Sequence, residues 1–521
     1  MNHSSLLCRS LCALALTAAA ACESPSGTEA EACGGATVWL EVGQAVALSP
    51  GEEPCSLAAG AEYVLAYLDA RGLEMARAGN ETYVPAGPGV VPDQAKFAVR
   101  ITVDGPAAAV ASRGAAVEAH AGPAAGMDAD LAAAGPSHAT SPFGVAGAPV
   151  PGDTFSVDVP CIGCTVNGML TFHATVAAVH DDWLTVAAVD GLPEAQLATY
   201  LETLRAAWPT ARTHALPLLQ HALAPGVPRT SPAGRLLVLV EPDLGTFSGY
   251  AQTAVDEDQV YGYVRLKLEP GVSQAWLAGL VAHELTHLYQ RMHNHRTRTG
   301  NSTTGLGAAL WGAEGTADLV WYETIRRAGG LPLLGNYDWR VPGADPFANR
   351  FMRYAQPSNA EFARGYTASM GFLRRLVAQR VASGESVDDA MREGVRGGIQ
   401  GWFGNDGRGS IRPGLASRMA ARLGGWKPEA AMLEWTLSHA ADDLTPSPRY
   451  QDPTFLRVGD IPAGYEPAWR PDHVISGGGT FTVQRRWGGS GYTLLHAGAS
   501  GLRFRAVAET PGVHWMLLRV R

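Results

Sequence analysis

Residues Leu280 to His295 read LVAHELTHLYQRMHNH, four histidines and one glutamate in sixteen positions. From Ser273 to His293 no proline interrupts the chain, Ser273 or the preceding glycine can start a helix, and apolar residues fill the remaining faces. Such a run must be a helix packed into a core. Within it, His283-Glu284-Leu285-Thr286-His287 sets two imidazoles four residues apart on one helix face. Both can therefore reach one zinc ion, and Glu284 stands beside them, placed to take a proton from water at the metal.

Two histidines do not complete a catalytic zinc site, which takes three protein ligands and keeps a fourth position open. His293 is one candidate for the third. It falls where the longer HExxHxxGxxH motif has its last histidine, but that motif uses its glycine to end the helix, and this chain has Gln290 there. If the helix continues, His293 lies about 15 Å along the axis from His283, out of reach. His293 and His295 then read as solvated residues near a helix C-terminus, where positive charge is favoured. Glu314, in LWGAEGTADLVWYETIRR, is the other candidate. Small residues around it permit close helix approach, and Glu314 and Asp318, four apart, share a face. That spacing suits a zinc-ligating Glu314 and an Asp318 that accepts a hydrogen bond from a ligating histidine.

HExxH followed by the W-x-x-E-G-x-A-D segment from Trp311 to Asp318 resembles the gluzincin zinc metallopeptidases, the thermolysin-like group with two His and one Glu as ligands. The likeness spans about residues 230 to 380. It implies zinc held by His283, His287 and Glu314, Glu284 as general base, and Asp318 orienting a histidine. It also implies that the strand QVYGYVRLKLE is the sheet edge along which an extended peptide substrate lies. Tyr366, in ARGYTASMGFLRRLV, resembles the oxyanion-stabilising tyrosine of several gluzincins; a tyrosine half-buried in a helix interface reads equally well there.

The rest of the chain sets the context. The first 22 residues, MNHSSLLCRSLCALALTAAAAC, have one Arg, an apolar run and a small-residue end, as an export signal does. Ala19 to Cys22 resembles a lipobox, so Cys22 is a candidate for acylation, with simple secretion as the alternative. The expected location is extracytoplasmic. The remaining cysteines, Cys33, Cys55, Cys161 and Cys164, are even in number and pair most simply as Cys33 with Cys55 and Cys161 with Cys164. CIGC could also be a redox or zinc half-site, but no second CxxC follows, and its surroundings read as strand.

Short alternating segments fill 23–105 and recur in 446–521, each reading as a small β-module. Residues 106–151, rich in Ala, Gly and Pro, read as a linker. Between linker and second module, 152–445 reads as an α+β metallopeptidase domain, so the whole is multidomain, with all-β modules on both sides. A chain of 521 residues buries its core without a metal staple, so a metal here is expected to be functional. Lys and Arg number 40 against 49 Asp and Glu, a balance of -9 that excludes a nucleic-acid-wrapping surface. The expected function is exported, zinc-dependent hydrolysis of peptide bonds. The alternatives are a zinc-keeping but inactive adhesion or binding lipoprotein, and HExxH chemistry on a non-peptide bond.

Overall fold

The computed structural model describes residues 35, 37–49, 51, 53–69, 96–106, 150–160, 169–180, 184–223, 236–244, 248–256, 259–297, 306–330, 370, 373–401, 433–438, 444, 471–486, 490–509 and 512–521. The chain has mixed α/β content and several sheets. It opens with strands β1 (Thr37–Val38), β2 (Ala45–Leu48), β3 (Cys55–Leu57), β4 (Glu62–Asp69) and β5 (Lys96–Val103). A central series follows: β6 (Thr154–Pro160), β7 (Met169–His180), β8 (Leu184–Val189), helices α1 (Glu194–His214) and α2 (Leu216–Ala222), then β9 (Leu236–Glu241), β10 (Gly249–Asp256) and β11 (Gln259–Lys267). Helices α3 (Gln274–Thr297), α4 (Leu306–Arg327) and α5 (Val387–Gly401) come next, before strands β12 (Val474–Ile475), β13 (Gly479–Arg486), β14 (Ser490–His496), β15 (Leu502–Ala508) and β16 (Val513–Arg519).

The two ends of the chain build one β-sandwich. Its sheets run β1-β3-β15-β5-β13 and β12-β14-β4-β16-β2, so strands from the start and the finish of the chain alternate as neighbours. Strand β4 lies antiparallel between β14 and β16, and β5 antiparallel between β13 and β15. In β15 the side chains alternate, Leu502, Phe504 and Ala506 buried and Arg503 and Arg505 exposed, the period of two of a strand with one face on a core. Tyr63, Leu65 and Tyr67 from β4 meet Val99 and Ile101 from β5, Phe504 from β15 and Trp515 and Leu517 from β16 in one apolar cluster.

This corrects the expectation of separate small modules at 23–105 and 446–521. The alternation within each segment reports which face a strand buries, but carries no information about which strand lies beside it. The central backbone groups of β4 and β5 find their partners only in strands more than 370 residues away, as the distance from Thr102 to Thr480 and from Tyr67 to Trp515 shows.

The central sheet has six strands in the order β10-β11-β9-β8-β7-β6. Strands β8, β9 and β11 are parallel, and the crossover from β8 to β9 carries α1 and α2. Alternate residues Val186, Val238, Val240, Val264 and Leu266 point into the core shared with the helices. Strand β11 is paired on both sides, with β9 and with β10, so it is an interior strand and not the sheet edge. The edge is β10, whose only strand partner among the described residues is β11. The hairpin β10–β11 reverses the chain within the sheet, and the apolar content of QVYGYVRLKLE reflects that interior position.

Buried polar contacts tie the parts together. Arg374, from the helical segment 373–382, lies with its guanidinium 3.9 Å from the centre of the Tyr322 ring of α4. The adjacent Arg375 donates to Glu434 at 3.1 Å, and two residues further Thr436 donates to Ser490 of β14 at 3.2 Å. Residues 433–438 thus connect the helices to the sandwich. Most of 106–151, all of 1–22, and Cys33, Cys161 and Cys164 lie outside the described residues, whereas Cys55 is buried at the start of β3. No helix among the described residues is long and apolar enough to cross a membrane.

Cutting the chain at an inserted protease site between residues 107 and 149 is expected to leave both pieces associated, because β4 and β5 are held between C-terminal strands. Native size-exclusion chromatography followed by a denaturing gel checks this: the two pieces should co-elute and then separate on the gel. Separate elution under native conditions would overturn the shared sandwich.

Candidate metal centre

Helix α3 begins at Ser273, whose hydroxyl accepts the Trp276 N–H at 3.1 Å and caps the helix. It then passes between α1, α4 and the strands β10 and β11. Leu277, Ala278, Val281, Ala282, Leu285 and Leu288 are buried around it, and even Thr286 turns inward, donating to the Ala282 carbonyl at 2.8 Å. A helix enclosed this way holds its polar side chains in fixed positions, and those of His283, Glu284 and Gln290 are all buried.

The two histidines converge. Their rings stand 4.7 Å apart at 79°, and the Nε2 atoms of His283 and His287 approach to 3.0 Å. Two nitrogens bound to one tetrahedral zinc at ~2.0–2.1 Å stand about 3.3 Å apart, so small rotations of these rings make a shared site. The opposite ring nitrogens are engaged elsewhere. Nδ1 of His283 lies 2.9 Å from Asp318 Oδ1, and Nδ1 of His287 lies 3.0 Å from Gln290 Oε1. An amide oxygen only accepts, so the Gln290 contact places the His287 proton on Nδ1 and turns its Nε2 toward His283, while Asp318 stands at ion-pair distance behind the His283 ring. The donor set therefore fits zinc.

Glycines set two close approaches around this pair. A Cβ on Gly279 would lie 1.9 Å from Trp321 Nε1, so only glycine admits the Trp321 ring against α3. That ring stacks edge-on against His283, 5.9 Å away at 83°, and Trp276 closes its other side at 5.8 Å. A Cβ on Gly249, the first residue of the edge strand β10, would lie 2.7 Å from Glu284 Oε1. The Glu284 carboxylate thus rests directly over the backbone where β10 begins.

Glu314 lies in α4, one helical turn before Asp318 on the same face, and its side chain is outside the described residues. Among the described residues, no group of three His, Cys, Asp or Glu side chains forms a complete metal site. Helix α3 runs unbroken through Gln290 to Thr297, which carries position 293 away from the pair along the axis. Tyr366 is outside the described residues. Three contributors, Trp321, Gly249 and Gly279, were not singled out from the sequence, and Gln290 was noted there only as the residue that stands in place of a helix-ending glycine.

No family model matches the chain, and no curated protein matches it. Among solved structures, it is similar to the M1 zinc metallopeptidase from Deinococcus radiodurans, at 14% identity and a TM-score of 0.28. The match covers 58% of this chain and 61% of that one, so the chain spans about three-fifths of its neighbour's length. A point mutant of the same enzyme matches at 13% identity, with a TM-score of 0.27, over 55% of this chain and 62% of that one. Superposition at this level carries no weight for the site, which stands on its own geometry.

Removing the Asp318 carboxylate in Asp318→Ala is expected to weaken zinc affinity about 10- to 100-fold. His293→Ala should leave the affinity unchanged, and Glu314→Ala should lower it more than Asp318→Ala does. Chelator-competition titrations on the three variants check the order; a loss with His293→Ala and none with Glu314→Ala would overturn it. Gly249→Ala is expected to fold and keep zinc while displacing Glu284, and a shift of about 1 Å in a reacting group costs up to ~10²-fold in rate. Steady-state cleavage rates beside zinc content check that expectation.

Proposed function

We propose that this chain is a zinc-dependent peptidase of the gluzincin type. The observation that carries the reading is the convergence of the His283 and His287 Nε2 atoms beside a Glu284 carboxylate that lies against the start of the edge strand β10. His283, His287 and Glu314 hold the zinc, and Asp318 fixes the ring of His283. Zinc bound there supplies a Lewis acid that polarises a carbonyl and acidifies water. Glu284 takes the proton of the attacking water and returns it to the departing amine. Its burial keeps bulk water from competing for that proton.

The substrate is an extended peptide that lies along β10, the outer strand of the sheet among the described residues, as a further strand. Main-chain pairing along β10 carries the scissile bond past Gly249, where the absence of a side chain lets peptide, edge strand and Glu284 meet. Tyr366 is the proposed oxyanion donor. Export through the segment 1–22, with Cys22 acylated, would place the enzyme outside the cytoplasm, tethered to a membrane by lipid.

Glu284→Gln preserves the shape of the side chain but cannot accept the proton, so it should keep one zinc and lose at least ~10²-fold in hydrolysis. The measurement is zinc content by atomic emission together with cleavage of a quenched-fluorescence peptide library, with and without a chelator. Wild-type protein that binds zinc and cleaves nothing would favour an adhesion or binding role, and Glu284→Gln cleaving at the wild-type rate would refute the mechanism.

A further inference from the structure

We infer that Gln290 is a positioning residue for the metal, setting the tautomer and ring orientation of His287 from within the same helix. The inference rests on the zinc-peptidase reading above, and concerns a residue which that reading does not use.

Gln290 follows His287 by three residues, so the two side chains share a face of α3. The amide is buried, 2% exposed, and its Oε1 lies 3.0 Å from His287 Nδ1. An amide oxygen only accepts hydrogen bonds, so the imidazole must donate from Nδ1. A neutral imidazole has one N–H, and fixing it on Nδ1 leaves the lone pair on Nε2, the atom facing His283 Nε2 at 3.0 Å. Asp318 stands at ion-pair distance behind His283, so each histidine has a polar neighbour on its far side, one carboxylate and one neutral amide.

Position 290 has a second effect on the same site. A glycine there could end the helix and send the chain back toward the metal, whereas glutamine continues α3 to Thr297. The residue that excludes a third ligand from α3 is thus the one that orients the second.

The test compares Gln290→Met, which keeps length and apolar volume but accepts no hydrogen bond from the ring, with Gln290→Glu, which keeps an acceptor in the same place. Zinc dissociation constants come from competition with a chromophoric chelator. The visible spectrum of the cobalt-substituted proteins reports ligand geometry without reference to activity. Thermal midpoints of the metal-free proteins report folding alone.

Gln290→Met is expected to bind zinc about 10- to 100-fold more weakly, with an altered cobalt spectrum and a metal-free midpoint near wild type. Gln290→Glu should bind zinc within about threefold of wild type, on the same second-shell scale. Wild-type affinity and spectrum in Gln290→Met would overturn the proposal and leave Gln290 a packing residue. If Gln290→Met does not fold, Gln290→Glu decides: retained affinity with a wild-type spectrum supports the brace, and a loss beyond tenfold overturns it. Wild-type protein that binds no zinc would instead refute the zinc reading, a result separate from either.

Discussion

The candidate metal centre depends on how closely α4 can approach α3. At Gly279 the approach leaves no room for even a methyl group, because Trp321 occupies the space a Cβ would take. One turn further along α3 is His283, and one turn back along α4 from Trp321 is Asp318. Seating the indole on a glycine therefore brings the carboxylate to 2.9 Å from the imidazole. A methyl at 279 would displace the indole that lies against His283, or the helix that carries both the indole and Asp318. Apolar packing here fixes polar geometry: the indole and Trp276 exclude water from one side of His283, and in that low-dielectric setting the contact with Asp318 is stronger.

The sandwich places a different constraint on the chain. Because β4 and β5 are held by strands from the far end, the helical part is enclosed between two halves of one unit, and its entry and exit are both fixed to the same pair of sheets. The link is physical as well as topological. Tyr322, on α4 with Asp318, lies under Arg374; Arg375 pairs with Glu434, both nearly inaccessible; and Thr436 bonds to Ser490 of the sandwich. Breaking a buried pair such as Arg375–Glu434 by removing one partner leaves an uncompensated charge, a loss of about 3–5 kcal/mol. The order of the sandwich and the placement of α4 are therefore energetically connected through residues that make no contact with substrate.

What could be read from the sequence follows the range of each physical signal. HExxH is local, and helix geometry alone converts its spacing into two convergent imidazoles. Continuity of α3 was legible from the absence of glycine or proline after His287. The strands of both end segments were legible as strands, since β15 alternates buried and exposed residues one by one. Their pairing was not, because contacts such as Thr102 opposite Thr480 leave no trace in either segment alone. The same limit misplaced the sheet edge. QVYGYVRLKLE was recognisable as a strand next to the metal helix, but whether a strand is flanked on one side or two depends on GYAQTAVD folding back against it. Gly249 and Gly279 were invisible for another reason: a glycine announces possible close approach but does not name the partner.

The position of the edge changes how the site can be used. Had β11 been the border, a peptide would have lain beside Tyr263 and Arg265, whose side chains are buried in the sheet, with Arg265 committed to Glu241 at 2.7 Å. With β10 outside it, the border begins at Gly249, against the Glu284 carboxylate. Backbone pairing needs no particular side chain, so an edge at this place would hold peptides of varied sequence with their main chain fixed relative to Glu284. A side chain at 249 would run into the Glu284 carboxylate. The glycine is therefore where the fold's border and the proposed chemistry coincide.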